Sequence, residues 1–377
     1  MIKNEDLQKK EELLPKNFND LIKDVHQKGI CGECGGCVSF CSAAEIKAIY
    51  MPKSGPPQYF NEENCLKCGI CYLICPQTHV LTDELNSKFN YKFSIGNWIK
   101  ITSAKSSNEN ILKNSTDGGV VTSLLTYLLD KKLIKGAIVS KKIAPFNRIP
   151  YFAKSREELI ESAGSHFDTS QGVINLEKYN SFVPSISSIK SIVSSEDIEI
   201  AFVGTPCQVN SIRKMQQLNI IPAHIIKYVF GLFCYVNFSF NDEKRKLIES
   251  KFNLTLDKIA KINVKENVIL NLVNNDIRYL DFKDLYDITR PACMACNDFS
   301  NIYADISFGG LGSNDGFTTN IIRTKIGEEI YNKALAEKYI IEPYELNSSI
   351  KKSEMLAKVI SFHKRKIDRY NKFFNII

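Results

Sequence analysis

The chain has 377 residues, of which 44% are hydrophobic and 24% charged, enough for about two or three packed domains and too apolar for wholesale disorder. Its net charge of +7 gathers at one end: from Lys351 onward eight Lys or Arg face only Glu354 and Asp368, so the other 350 residues are almost neutral. That distribution excludes a basic body wrapped by nucleic acid.

Residues 1–30 are polar, with Leu7, Leu13, Leu14, Phe18, Leu21 and Ile22 at roughly helical spacing, which predicts a helical lead-in. The first residues are acidic where an export leader needs a basic and then an apolar stretch. The longest apolar runs, Val120 to Leu129 and Tyr228 to Phe238, are too short to span a bilayer. The expectation is a protein of the reducing cytoplasm, free or peripheral on a membrane complex, whose clustered cysteines ligate metal rather than form disulfides.

Eight of the 12 cysteines lie in a module at 31–80. Cys31-x2-Cys34-x2-Cys37-x3-Cys41 and Cys65-x2-Cys68-x2-Cys71-x3-Cys75-Pro76 have the spacing of the two halves of a bacterial-type 2[4Fe-4S] ferredoxin. In that arrangement three cysteines wrap one cubane and the fourth crosses to the other. One cluster would use Cys31, Cys34, Cys37 and Cys75, and the second Cys65, Cys68, Cys71 and Cys41. Gly32, Gly35 and Gly69 allow the tight backbone that aims amides at the sulfides. A pair of zinc sites competes with this reading, but four closely spaced thiolates twice over fit cubanes better. Ser42 stands where a proline usually follows the fourth cysteine, which alters the local turn and leaves the ligands intact. Such clusters pass single electrons and select no substrate, so selection falls to a second domain.

Residues 81–97 read as a mixed, polar linker. From Trp98 to about residue 345, apolar strands alternate with helices. Lys135-GAIVSKKI, Ile198-EIAFVG, Ile225-IKYVFGLFC, Ala304-DISFGG and Thr319-NIIRT predict strands. Ser155-Arg-Glu-Glu158 predicts a capped helix start, and Pro206 a first helical turn. The fold class expected is α+β or α/β, a ferredoxin module followed by a larger mixed-sheet domain at 98–345. The remaining Cys207, Cys234, Cys293 and Cys296 stand at strand ends and in a loop. Their spacing alone leaves open a third cluster, zinc, a redox pair, or small core side chains. No G-x-G-x-x-G follows a strand, there is no P-loop, and Gly309-Gly-Leu-Gly312 has the wrong spacing for a dinucleotide turn. His26, His79, His166, His224 and His363 are scattered, which argues against a histidine-based metal or hydrolytic centre.

The tail at 346–377 is basic and amphipathic. Leu356, Ile360, His363, Ile367, Tyr370 and Phe374 recur at four- and three-residue steps, predicting one apolar helical face amid six net positive charges. That face either packs on its own domain or docks on an acidic or membrane-bound partner.

Six stretches then occur in one order: Thr116-Asp-Gly-Gly-Val-Val-Thr122, Gly164-Ser-His-Phe-Asp-Thr-Ser170, Val203-Gly-Thr-Pro-Cys-Gln208, Gly231-Leu-Phe-Cys234, Arg290-Pro-Ala-Cys-Met-Ala-Cys-Asn-Asp298 and Ala304-Asp-Ile-Ser-Phe-Gly-Gly-Leu-Gly-Ser313. In this the chain resembles the family of coenzyme F420-reducing hydrogenase/dehydrogenase beta subunits over about residues 98–345. The cysteine module in front makes the likeness strongest to electron-input subunits of its dehydrogenases. The resemblance implies an FAD held near Gly118, Gly119, Thr122, Ser165, Gly204, Thr205, Gly310, Gly312, Ser313 and Asp315. It also implies a third [4Fe-4S] cluster on Cys207, Cys234, Cys293 and Cys296, coenzyme F420 as the hydride partner, and a ferredoxin or redox complex as the electron partner. His166 would contact flavin or substrate, and Arg323 and Lys113 the acidic tail of the deazaflavin, each otherwise an ordinary packed or surface charge. No side-chain nucleophile is expected, because the flavin carries the chemistry. Two alternatives keep the same scaffold: a ferredoxin-driven reductase of another organic substrate, and a non-catalytic electron-wiring subunit.

Overall fold

Short runs that are apolar on both faces assemble into one large sheet, as buried strands require. A computed structural model describes residues 15–52, 55–144, 147–164, 199–238 and 242–376; Ser165 and His166 lie outside the described residues. In chain order the strands are β1 (Ile49–Tyr50), β2 (Gln58–Tyr59), β3 (Lys100–Ser106), β4 (Ala137–Ala144), β5 (Asn147–Ala153), β6 (Ile200–Gly204) and β7 (Ile226–Leu232). They continue with β8 (Ile259–Val264), β9 (Val268–Leu272), β10 (Ile277–Leu280), β11 (Ile306–Gly309), β12 (Thr318–Ile322) and β13 (Ile340–Ile341). The longer helices are α1 (Gly36–Ala43), α2 (Thr82–Lys88), α3 (Val120–Asp130), α4 (Pro206–Gln217), α5 (Asp242–Phe252), α6 (Lys325–Ala336) and α7 (Ser349–Phe373).

The large sheet runs β13-β3-β12-β11-β7-β6-β4-β5. Its centre, β11-β7-β6-β4, is parallel, and the flanking pairs are antiparallel. Alternate residues of each central strand face opposite layers. Ala201 and Phe230 meet Leu124, Leu128, Tyr331 and Ala334 of α3 and α6 on one side. Phe202 and Val229 meet Val209, Ile212 and Met215 of α4 on the other, together with Ile74 and Leu85. A smaller sheet, β10-β9-β8, forms a further core with Phe282, Phe299 and the α7 residues Met355, Val359 and Phe362. Thr205 and Gln208 form a capping box at the start of α4, with Pro206 in its first turn, and Ser155 caps the helix Arg156–Glu161.

The span 81–97, read as a linker, contains α2, whose Leu85 is 0% exposed in the core beneath α4. The tail is also part of the body. α7 buries Met355, Val359, Phe362, His363, Lys366 and Arg369, a stripe set one residue off the expected one, so Leu356, Ile360, Ile367 and Tyr370 lie half-buried on its shoulder. The offset arises because Lys366 and Arg369 turn inward, where a hydrophobic pattern would not put them.

Buried charge ties the layers together. Arg213 of α4 pairs with Asp305 at 2.9 Å, while Asp305 also accepts hydrogen bonds from Val229 N and Thr324 Oγ1. Arg323, expected as a surface charge or a substrate contact, is neither. Its guanidinium is buried and donates to Ser307 Oγ and to the carbonyls of Ile95, Asn97 and Ser300. Lys113 is exposed on the short helix Glu109–Asn114. Asp305→Ala leaves Arg213 buried without its carboxylate and is expected to cost about 3–5 kcal/mol, read as a lower urea midpoint than that of the native chain.

Candidate functional site

Open parallel sheets offer a crevice at the carboxyl ends of their strands. Here Gly204 and Thr205 after β6, Phe233 and Cys234 after β7, and Gly309 and Gly310 at β11 line such a cleft. The first turn of α3 closes one side through Gly119, Val120 and Thr122, and Lys265 and Arg148 supply positive charge. Gly119 has φ +67, and a side chain there would stand 2.7 Å from Ile111, so only glycine lets the chain turn into α3 at this point. The resulting helix N-terminus, with its free amides, suits an anionic group.

Five of the residues nominated from the resemblance therefore meet at the cleft: Gly119, Thr122, Gly204, Thr205 and Gly310. Gly118 sits behind it, donating its N–H to Thr318 Oγ1 at 3.1 Å. Gly312 and Ser313 turn away toward α7, Gly312 against Met355 and Ser313 Oγ against Thr319 Oγ1 at 2.7 Å. Asp315 is exposed and reaches the cleft only through its 2.6 Å pair with Lys265. Ser165 lies outside the described residues.

Asp117 was missed, although it stands inside the Thr-Asp-Gly-Gly stretch. It is the only carboxylate in the described lining; its Oδ1 is buried without a hydrogen-bond partner, and Gly310 has room for no side chain because this carboxylate lies against it. Burial pushes Asp117 up to about 6, against the opposing pull of Lys265 and Lys261. Lys265 was missed as well, and no pattern around it could have marked it.

Cys234 joins the cleft to a group of cysteines. It lies close enough to Cys293, Cys296 and Cys207 for their charges to repel. Cys207 is in the first turn of α4, and Cys293 in the short helix Pro291–Met294, where its sulfur accepts from Asn237 N at 3.2 Å. The other eight cysteines sort by the same mutual repulsion. Cys75 acts on Cys31 and is itself acted on by Cys34, whereas Cys41 is acted on by Cys65 and Cys68, and Cys71 by Cys68, Cys65 and Cys41. The fourth cysteine of each run thus crosses to the other group. Backbone amides of Glu33 and Ala48 donate to Cys31 and Cys41 sulfurs at 3.4 and 3.3 Å.

Burial first, and neighbouring thiols after it, push Cys31, Cys71, Cys75, Cys207 and Cys234 up to about 12. Such thiols do not ionise alone; a ligated cation supplies the charge that lets them. Among the described residues no three His, Cys, Asp or Glu side chains gather tightly enough to grip a single metal ion. Each set of four thiols, with amides aimed at sulfur, has the donor chemistry of a cubane. The sets are also neighbours. A side chain at Gly32 would lie 3.8 Å from Cys207 Sγ, Lys214 Nζ donates to Cys75 O at 2.6 Å, and Arg290 donates to Gly32 O while pairing with Glu33 at 3.0 Å. Cys68, in the outermost set, is exposed.

The description "Coenzyme F420 hydrogenase/dehydrogenase, beta subunit" matches this chain in two parts, its N-terminal region at 101–176 and its C-terminal region at 197–345. The coenzyme F420 hydrogenase beta subunit of Methanosarcina barkeri is 30% identical over 250 residues, covering 64% of this chain and 81% of that protein. The chain belongs to the family of coenzyme F420 hydrogenase/dehydrogenase beta subunits. Within that family, one of the subunits of the F(420)H(2) dehydrogenase of Methanosarcina mazei is 25% identical over 85% of this chain and 87% of its own length. The coenzyme F420-dependent sulfite reductase of Methanocaldococcus jannaschii is 29% identical over 82% of this chain, which spans only 47% of that longer protein. One chain of the xenon-derivatised F420-reducing [NiFe] hydrogenase complex from Methanosarcina barkeri superimposes with a TM-score of 0.62 at 28% identity, covering 76% of this chain and 94% of that one.

Because Asp117 in the folded chain titrates near 6 rather than at its ordinary 3.8, its contribution to stability is fully present below pH 3.8 and is lost as pH rises through 6. Asp117→Asn removes that loss. The variant is expected to exceed the native chain in stability by up to about 3 kcal/mol above pH 7, with the difference vanishing below pH 4, as measured by urea midpoints across that range.

Proposed function

We propose that this family member is a coenzyme F420-linked oxidoreductase subunit that carries FAD in the cleft and three [4Fe-4S] clusters on its twelve cysteines. It exchanges a hydride with coenzyme F420 and exchanges single electrons with a ferredoxin or a partner redox complex, in the cytoplasm or at a membrane-associated assembly. The observation that carries this reading is the continuity from cleft to surface. Cys234 belongs both to the cleft and to one cysteine set, Cys207 of that set touches the Gly32 loop of the next, and the last set ends at exposed Cys68.

When bound, FAD would take or give a hydride and divide the electron pair into single electrons, chemistry that no side chain provides. The chain's own residues orient and insulate. The first turn of α3, with Gly119 and Thr122, would hold the anionic part of the cofactor, with Gly204, Thr205 and Gly310 allowing close approach. Lys265 and Arg148 offer positive charge to the acidic coenzyme, whereas Arg323 spends its donors inside the protein. Asp117 holds a proton within the cleft up to about pH 6. Beside Cys68, exposed Leu66 gives the electron partner an apolar footing.

Anaerobically prepared protein is expected to hold about twelve irons per chain. Its flavin absorption is expected to bleach with reduced coenzyme F420. Bleaching by reduced ferredoxin alone would move the reading to a reductase of another substrate, and absence of flavin to a wiring subunit. Cys68→Ala should lose about four irons and most of its steady-state transfer to a ferredoxin while a single turnover still reduces the flavin. Cys207→Ala should interrupt transfer beside the cleft itself. Equal effects of the two substitutions on single-turnover flavin reduction would contradict the proposed order of sites.

A further inference from the structure

Helix α7 brings two cations into the interior beside the cysteine set nearest the cleft. Lys366 is 1% exposed and Arg369 9%. Lys366 Nζ donates to the carbonyls of Cys234 and Asp298, both at 2.6 Å. Arg369 Nη2 donates to the carbonyls of Tyr235 and Cys293 at 2.8 and 2.9 Å, and its guanidinium lies 4.6 Å from the Tyr235 ring centroid. Among the described residues neither has a carboxylate within ion-pair distance. Asp298, the nearest acid in the chain of contacts, gives Lys366 only its carbonyl, because its carboxylate accepts from the amides of Asn301 and Ile302.

Carbonyl dipoles satisfy Lys366 Nζ and Arg369 Nη2, while Arg369 Nε and Nη1 are buried with no partner among the described residues, and no carbonyl cancels a charge; a buried cation without a counter-charge is strongly unfavourable. The missing negative charge has one source at hand. Cys296, Cys234 and Cys293 are the negative groups whose charge acts on Lys366, against the repulsion of Arg369. Four thiolates on a cubane are a net dianion when oxidised and a trianion when reduced. The charges then balance closely, two cations against that dianion.

We propose that Lys366 and Arg369 are the built-in counter-cations of a [4Fe-4S] cluster on Cys207, Cys234, Cys293 and Cys296, positioning residues that raise its reduction potential and fix two of its ligand loops. This rests on the reading of those four cysteines as cluster ligands. The step concerned is the arrival of one electron, with no bond made or broken and no proton moved. It deepens the local negative charge by one, so fixed cations stabilise the reduced state more than the oxidised one and the potential rises.

The test compares neutral variants, Lys366→Met and Arg369→Gln, with charge-keeping ones, Lys366→Arg and Arg369→Lys, in the full chain prepared anaerobically. Iron content and the midpoint of each cluster are read by a redox titration followed by electron paramagnetic resonance. Neutral variants that retain about twelve irons are expected to lower one midpoint by at least tenfold in its one-electron equilibrium, ~59 mV, and leave the other two in place. Charge-keeping variants are expected to stay near the native value. Unchanged midpoints in the neutral variants, or an equal shift in the charge-keeping ones, would overturn the proposal. If the neutral variants lose about four irons, retention in the charge-keeping variants supports it, and loss in those too reduces α7 to a packing element and overturns it. A native chain with about eight irons defeats the cluster reading itself, which is a separate result.

Discussion

Everything in this molecule leans on the seating of α4. One face of the helix, through Val209, Ile212 and Met215, fills the layer over the parallel strands. Its first turn carries Cys207, which meets the Gly32 loop, and its next turn puts Ser211 so close to Gly36 that any side chain there would collide. Lys214 then reaches the carbonyl of Cys75. One helix therefore registers the cysteine-rich segment against the sheet, and with it the distance from cleft to surface. The capping box of Thr205 and Gln208 matters for the same reason, because it fixes where that first turn begins.

Around this joint the interior is more charged than the composition implies. Arg213 with Asp305, Arg323 with its shell of carbonyls, and Lys366 and Arg369 on α7 are all buried. Each holds backbone segments that belong to no regular element: the loop before β11, the turn before β3, and the cysteine loops. Short helices and irregular loops carry unpaired carbonyls, and long cationic side chains with several donors satisfy these in groups. The cysteine loops thereby gain rigidity that secondary structure does not give them.

Much of this could be read from the sequence where the chemistry is local. The spacing from Cys31 to Cys75 predicts two sets of four thiols with their fourth members exchanged, and the thiols do group in that crossed way. Ile200–Gly204 was legible because strands buried on both faces need unbroken apolar runs. Thr205-Pro206 was legible because a helix start has its own residue chemistry. What failed is non-local. The inward face of α7 was misjudged by one residue, since Lys366 and Arg369 are buried by partners far away in the chain. Gly312 and Ser313 were nominated as FAD contacts from a shared stretch, and where the loop after Leu311 sits, against Met355, is set by a helix far along the chain. Asp117 was given no role of its own, because its burial depends on Gly310 beyond β11, which is distant in sequence.

The contact between Gly32 and Cys207 also orders events in the making of the protein. Chain emerges N-terminus first, so the eight cysteines up to Cys75 are available while the sheet that α4 rests on has yet to be synthesised. The set holding Cys207 is complete only once Cys293 and Cys296 have appeared, and α7, whose cations grip its loops, is later still. Until then the inner face of the cysteine-rich segment, Ile74 and Leu85 included, has nothing to rest on. The set adjoining the cleft is thus closed later than the other two, and α7 is the part that shuts it.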